Sequence, residues 1–157
     1  MRQKTKIISY KGRTMKVREI MTTEVVALKV DEELSLASDI MTLARIRHFP
    51  VVEGEQLVGI ISQRDLFKAS IASVMGHDYK EIRDHLKTVT IKEVMVKDVI
   101  TVGPDTEIHE AGKIMIEKKI GCLPVVSDGD LVGIVTETDM LQFCVSCHQN
   151  ETASNSK

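Results

Sequence analysis

Apolar residues along this chain follow two kinds of spacing, and the same order of patterns occurs twice. Leu34, Ala37 and Met41 lie at the three- to four-residue spacing of a helix with one buried face, and Ile108 and Ala111 begin a second such stretch. A β-rich run precedes each stretch, two short apolar runs with a turn between them follow it, and a further helix closes the series. The pattern predicts the order β-α-β-β-α twice, with strands at 25–28, 49–52 and 57–61 and, in the second series, a first strand at 99–102.

The two series are copies of one unit. Residues 17–65 align without a gap on residues 91–139, at the constant offset that separates Val17 from Ile91. A unit of about fifty residues buries too little surface to be stable by itself, so the copies are expected to pack together. The predicted fold class is therefore α/β of the α+β kind, with tandem β-α-β-β-α repeats packed sheet to sheet in pseudo-two-fold symmetry.

The duplication divides the chain into five segments. Ile82, Leu86 and Val89, between the copies, have helical spacing and indicate a helical connector. The region before the first copy is basic and has no acidic residue, which is consistent with a solvated tail, an arm for an acidic partner or nucleic acid, or a protein that starts at Met15. The predicted segments are a basic extension (1–14), the first repeat (15–70), the connector (71–90), the second repeat (91–145) and a polar tail (146–157).

Composition narrows the functional classes. Aromatic residues make up 3% of the chain and its net charge is -2, so we expect no nucleic-acid partner. No apolar run approaches the roughly 20 residues of a membrane span, and the basic start lacks the apolar region of a secretory signal. The three cysteines form no disulfide framework. A cytoplasmic protein without a membrane partner is the resulting expectation.

One motif closes the second apolar run of each copy. Residues 59–65 read G-I-I-S-Q-R-D, and residues 133–139 read G-I-V-T-E-T-D. The glycine would let the backbone approach a ligand, the helix start at Ser62 or Thr136 would favour an anion, and Asp65 or Asp139 could accept hydrogen bonds from a ribose diol. The same spacing is also typical of a capping box, in which hydroxyl and carboxylate bind the free N–H groups of a helix start. The pattern alone leaves both interpretations open.

Together with the repeated Met21 and Met95 and the Pro-Val-Val strands at Pro50 and Pro124, these motifs resemble the cystathionine-β-synthase (CBS) domain. Over about residues 15–145 the chain is similar to a stand-alone bacterial CBS-domain pair. The resemblance implies a regulatory module rather than an enzyme, with a cleft between the repeats for an adenine nucleotide or related adenosyl compound. It further implies a homodimer, an effector protein that receives the signal, and no required cofactor.

The resemblance also implies the residues of two sites. Asp65 and Asp139 would bind ribose, beside Ser62 and Thr136. Adenine would lie against the first strand of a copy and the segment before its proline, which the sequence pairs as Val25 with Phe49, and Val99 with Leu123. Each of these four residues could equally be ordinary core. A phosphate would also need cations, and the first copy offers the following: Arg45, Arg47, His48 and Arg64. The second copy offers Lys118 and Lys119. The second copy has Gly121 and Cys122 in place of Arg47 and His48, so we expect unequal affinity for an anion, unless these charges are only solvated surface.

A second function is suggested near the C-terminus. Cys144-Val-Ser-Cys147-His148 matches the C-x-x-C-H pattern of covalent haem attachment. A redox or metal protein that uses this motif is the alternative to the sensor, and an incidental thiol pair is the simplest interpretation. No other group of residues suggests a catalytic or metal site.

Overall fold

The computed structural model describes the backbone of residues 14–72 and 79–154, and the side chains of 14–70 and 80–146. Its elements confirm the mixed α+β class and the predicted order in the first copy, whereas the second copy has a single bridge in place of its first strand. The first copy contains a 3-10 turn (Val17–Glu19), β1 (Leu28–Lys29), α1 (Leu34–Ala44), β2 (His48–Glu53), β3 (Gln56–Ser62) and α2 (Gln63–Ala72). The remaining elements are α3 (Tyr79–Leu86), α4 (Ile91–Val94), α5 (Ile108–Lys118), β4 (Cys122–Ser127), β5 (Asp130–Thr136) and α6 (Glu137–Ser154).

The first strand of each copy is much shorter than predicted. β1 has two residues, because only Leu28 and Lys29 find parallel partners, at Val51 and Val52 of β2. In the second copy Val102 makes one parallel bridge to Val125. The β-rich composition of 25–28 and 99–102 therefore overestimated the length of these strands, since strand length depends on how much of the neighbouring strand is available for pairing.

The described residues form two compact units. One contains Val26–Val99 with Asp128–Leu131, and we name it the β2–β3 unit. The other contains the described residues of 1–25, 100–127 and 132–157, and we name it the β4–β5 unit. Neither unit coincides with one copy of the sequence repeat, because each includes the segment that leads into the other copy.

The β2–β3 unit is organised around its hairpin. β2 and β3 are antiparallel, with His48 opposite Ser62 and Glu53 opposite Gln56, and Gly54 has a φ of 65° at the turn. Asp130, at the start of β5, pairs with Gln56 at the far edge of β3. The core combines hairpin and helix residues with α4 and α3, since its buried members include Leu34, Phe49, Val51, Ile61, Leu86 and Ile91. The predicted connector is thus helical at α3, while residues 73–78 lie outside the described part of the chain.

The β4–β5 unit repeats this plan. β4 and β5 are hydrogen-bonded neighbours joined by a two-residue turn in which Asp128 and Gly129 both have positive φ, 55° and 95°. The turn itself is grouped with the β2–β3 unit. This backbone suits Asp-Gly and confirms the predicted turn. The buried core of the unit consists of Val17, Val102, Ala111, Met115, Leu123, Val125 and Val135. No helix in the described part of the chain is both long and apolar enough to cross a membrane.

The segment that leads into each copy packs on the hairpin of the other copy. In the β4–β5 unit, Thr22 and Ile134 exchange two backbone hydrogen bonds of 2.9 Å. In the β2–β3 unit, Val96 and Ile60 exchange the equivalent pair, at 2.8 and 2.9 Å. The two leads are therefore exchanged between the copies, and each hairpin is completed by a segment remote in sequence.

Candidate ligand-binding sites

The start of α2 contains a closed arrangement of hydroxyl and carboxylate. Oδ2 of Asp65 accepts hydrogen bonds from the Ser62 backbone N–H at 3.0 Å and from the Ser62 hydroxyl at 2.5 Å. The Asp65 N–H donates in return to the Ser62 hydroxyl at 3.4 Å. This is the capping arrangement that the spacing suggested, and it stabilises the helix start by satisfying N–H groups that have no partner within the helix.

The start of α6 has the same geometry. Oδ2 of Asp139 accepts from the Thr136 backbone N–H at 2.8 Å and from its hydroxyl at 2.6 Å, and the Asp139 N–H lies 3.4 Å from that hydroxyl. In both aspartates every hydrogen bond found within the described residues falls on Oδ2, so Oδ1 is left for another donor. Both carboxylates are half-buried. Capping and ligand binding are therefore compatible at one aspartate.

A backbone hydrogen bond ties the segment before each hairpin to the same helix start. The Gln63 N–H donates to the Arg47 carbonyl at 2.9 Å, and the Glu137 N–H donates to the Gly121 carbonyl at 3.0 Å. His48 lies opposite Ser62 in the hairpin. The structure thus brings Arg47, His48, Ser62 and Asp65 together, with Arg64 exposed on the first turn of the helix. It also brings Gly121 to Thr136 and Asp139.

The four residues proposed as adenine walls are distributed differently from the sequence pairing. Val25 belongs to the β4–β5 unit with Leu123, while Val99 belongs to the β2–β3 unit with Phe49. Val25 and Val99 are each the last residue before a boundary between the units, so the pairing of Val25 with Phe49 stays a prediction. Phe49 and Leu123 have no exposed surface, whereas Val25 and Val99 are half-buried. The contribution of any of these four to ligand binding remains a prediction.

The motif glycines make room for methionines. A Cβ added to Gly59 would lie 2.5 Å from Sδ of Met95 and 3.2 Å from the Val96 carbonyl oxygen. At Gly133 it would lie 2.7 Å from Sδ of Met21. The interpretation of these glycines as points of ligand approach is therefore corrected, because a methionine of the incoming lead occupies that space. Met21 and Met95 occupy aligned positions of the two copies, and this repetition was the sequence signal that could have revealed the contact.

Cys122, which replaces His48 in the second copy, is a poor nucleophile. Its side chain is buried, and burial, followed by the negative charge of Glu137, raises the pKa of the thiol to about 12. A thiol with so high a pKa stays protonated near neutrality and is neither a reactive thiolate nor a ready metal ligand. Because the Glu137 N–H bonds the Gly121 carbonyl, Glu137 lies beside the residue that precedes β4.

The C-x-x-C-H motif lies in α6. Cys144 is exposed and not in a disulfide. The side chains of Cys147 and His148 lie outside the described residues, so the haem or metal interpretation remains a prediction. Among the side chains that are described, no group of three histidine, cysteine or acidic residues is arranged to hold a metal ion.

Comparison with known proteins identifies the family. The model of the CBS domain matches residues 17–72 and 91–146, which covers most of the chain and both copies. The chain belongs to the CBS-domain family, and it contains a pair of these domains.

Solved structures with the same fold include other CBS pairs. A candidate acetoin utilization protein (AcuB) from Vibrio cholerae is 33% identical, with a TM-score of 0.75 over 92% of this chain and 99% of that one. The CBS domain pair of protein MJ0100, in complex with 5'-methylthioadenosine and S-adenosyl-L-methionine, is 27% identical, with a TM-score of 0.70 over 83% of this chain and 99% of that one.

Curated relatives are mostly longer proteins. Inosine-5'-monophosphate dehydrogenase from Korarchaeum cryptofilum is 36% identical over 74% of this chain. The chain spans only 22%, 43% and 42% of the length of the first three curated relatives that it matches. The similarity to the dehydrogenase therefore concerns a part of that enzyme.

Proposed function

We propose that this chain is a regulatory module that binds adenosine-type compounds, with one site in each compact unit. The observation that carries the proposal is the repeated hydroxyl–aspartate arrangement at the starts of α2 and α6. In each, the carboxylate uses Oδ2 for the helix cap and leaves Oδ1 for a ligand within the described structure. A ribose diol offers two adjacent O–H donors that suit such an oxygen.

The family supports an adenosyl ligand. The CBS pair of protein MJ0100, which is similar over most of this chain, was solved with two adenosyl compounds. In our proposal Asp65 binds the ribose in the β2–β3 unit, with Val99 beside the base and Arg47, His48 and Arg64 near any phosphate. Asp139 and Val25 have the corresponding roles in the β4–β5 unit, with Ser62 and Thr136 as the hydroxyl residues of the two sites.

A regulatory role follows from binding without catalysis. We assign no catalytic residue, because the hydroxyl and the carboxylate at each helix start are hydrogen-bonded to each other in the helix cap. A ligand that binds one conformation better than another shifts the population, and an effector protein can respond to the shift. We further propose that the module acts as a homodimer in the cytoplasm and needs no cofactor besides its ligand.

Ligand titration of site variants tests this function. Asp65→Asn and Asp139→Asn keep an acceptor oxygen for the helix cap but replace the other oxygen with an amide, so each should weaken binding about tenfold at its own site. Isothermal titration and thermal unfolding with AMP, ATP, adenosine, 5'-methylthioadenosine and S-adenosylmethionine provide the measurement. A ligand at a hundred times its dissociation constant should stabilise the folded protein by about 2.7 kcal/mol.

Asp98→Asn is the matched control, since Asp98 is an exposed aspartate outside both hydroxyl–aspartate arrangements. This variant should bind every compound as the unaltered chain does. If no adenosyl compound shifts the unfolding of the folded protein, the proposed function is wrong. If Asp98→Asn weakens binding as much as Asp65→Asn, the aspartates of the helix starts are not the ligand-binding groups.

A further inference from the structure

We infer that the two sites select adenosyl ligands of different charge. The site of the β2–β3 unit takes an anionic nucleotide, and the site of the β4–β5 unit takes an uncharged or cationic adenosyl compound. This inference rests on the proposed function and specifies the ligand class of each site. It follows from the charges at aligned positions around the two helix starts.

The two helix starts have the same architecture but opposite charge. Around Asp65, the β2–β3 unit has cations at three positions where the β4–β5 unit has none, and it has a neutral residue where the β4–β5 unit has a carboxylate. The aligned pairs are Arg47 and Gly121, Gln63 and Glu137, Arg64 and Thr138, and Lys68 and Gln142. The positions around Asp65 therefore carry three cations and one carboxylate. The aligned positions of the β4–β5 unit carry two carboxylates, those of Glu137 and Asp139.

A main-chain hydrogen bond brings two of these aligned pairs together in each unit. The hydrogen bond from the Gln63 N–H to the Arg47 carbonyl has an equivalent, at nearly the same length, from the Glu137 N–H to the Gly121 carbonyl. Two positions that are far apart in sequence are thus held beside each other in both units. Positions 47 and 63 in one unit, and 121 and 137 in the other, are therefore adjacent, and positions 63 and 137 are two residues from the aspartate proposed to bind ribose.

The negative charge of Glu137 acts at the start of β4. It contributes, after burial, to the raised pKa of Cys122, the first residue of that strand. A ligand phosphate in this region would meet the same negative potential, together with that of Asp139. A sulfonium or an uncharged thioether would avoid the repulsion, and a sulfonium would be attracted.

Lysines near the β4–β5 site do not cancel the charge difference between the two helix starts. Lys119 is matched by Arg45 in the other unit, and both have positive φ at the end of the preceding helix. Lys118 replaces Ala44 and lies in the last turn of α5, where a cation interacts favourably with the carbonyls of the helix end. The distinguishing charges are therefore those at the starts of α2 and α6.

The experiment weakens one site at a time and varies the charge of the ligand. Asp139→Asn leaves the β2–β3 site intact, and Asp65→Asn leaves the β4–β5 site intact. Titration calorimetry at low salt compares AMP with adenosine, which differ by the phosphate, and 5'-methylthioadenosine with S-adenosylmethionine. We expect Asp139→Asn to bind AMP about tenfold more tightly than adenosine, and Asp65→Asn to show the reverse preference. Both differences should shrink at about 0.3 M salt.

Reciprocal charge exchange assigns the cause. Gln63→Glu with Arg64→Thr gives α2 the first-turn residues of α6, and Glu137→Gln with Thr138→Arg does the opposite. Each exchange, in the background that isolates its site, should reduce or invert the preference between AMP and adenosine. All four residues are exposed, and thermal unfolding of each variant confirms that it is folded.

The outcomes separate this inference from the proposed function. Binding of adenosyl compounds with the same charge preference at both sites overturns the inference and leaves the proposed function standing. Opposite preferences that the exchanges do not alter also overturn it, because these residues would not be their source. Absence of binding by every compound overturns both.

Discussion

At the scale of single residues, glycine and methionine form a matched pair in each unit. Met95 and the Val96 carbonyl occupy the space beside Gly59 that a side chain would need. Met21 occupies the equivalent space beside Gly133. Neither glycine has a positive φ in the structure. The requirement is therefore close approach of two segments, and replacement by any larger residue forces the incoming lead away from β3 or β5.

We expect Gly59→Ala to destabilise the protein by about 1–3 kcal/mol, as overpacking in a well-filled interior does. The new methyl group would lie 2.5 Å from the Met95 sulfur and near main-chain oxygen, and the main chain cannot yield easily. Urea unfolding measures the change. Gly112→Ala is the control: it lies in α5 with nothing within 4 Å of the added carbon, so it should stabilise by up to about 1 kcal/mol. Equal effects of the two substitutions would contradict the close-approach explanation.

At the scale of elements, the lead segments determine which parts of the chain support each other. Val17 has no exposed surface and packs in the core that contains Leu123 and Val135 of the second copy. Ile91 is equally buried, in the core that contains Phe49 and Ile61 of the first copy. Each lead thus contributes apolar burial to a hairpin that lies far from it in sequence.

Val17→Ala should therefore destabilise the β4–β5 unit, by about 2 kcal/mol, through lost burial and a residual cavity. Amide hydrogen exchange locates the effect. We expect the Ile134 amide, which donates to the Thr22 carbonyl, to lose more protection than the Ile60 amide, which donates to the Val96 carbonyl. Val145→Ala, at an exposed position of α6, is the control and should change neither. Equal loss of protection at both amides would refute separate support of the hairpins by the leads.

At the scale of the whole molecule, the sequence repeats and the compact units divide the chain differently. The family model matches 17–72 and 91–146, whereas the β2–β3 unit consists mainly of Val26–Val99. Every buried member of the β2–β3 core lies between Leu28 and Ile91. A fragment that ends before α3 and α4 would lose Leu86 and Ile91 from this core.

We expect a fragment of residues 26–99 to retain more structure than a fragment of residues 15–72, although the second contains the complete first repeat. The reason is that 26–99 keeps the whole β2–β3 core, while 15–72 leaves Phe49 and Ile61 without the cover of Ile91. Far-ultraviolet circular dichroism and the cooperativity of thermal unfolding distinguish them. Equal helicity and equally cooperative unfolding of the two fragments would count against the β2–β3 unit as the folding unit.

Much of the candidate site was accessible from the sequence, because its geometry is local. Ser62 and Asp65 are three residues apart and lie at the first turn of α2. The hydrogen bonds of the helix cap follow from that spacing. The hairpin that each lead segment joins was not accessible. The Thr22 and Val96 segments each precede one hairpin in sequence but form backbone hydrogen bonds with the other, and no local pattern records that exchange.

The sequence by itself determined the duplication, the helices and hairpins of each copy, the capped aspartates and the unequal charges at the starts of α2 and α6. These features depend on residues that are close in sequence or on direct comparison of aligned positions. The tertiary structure decided which hairpin each lead completes and that positions 47 and 63, like 121 and 137, lie side by side. The physical reason is that apolar spacing encodes a face to be buried but not its partner, and two similar copies offer each lead two similar hairpins.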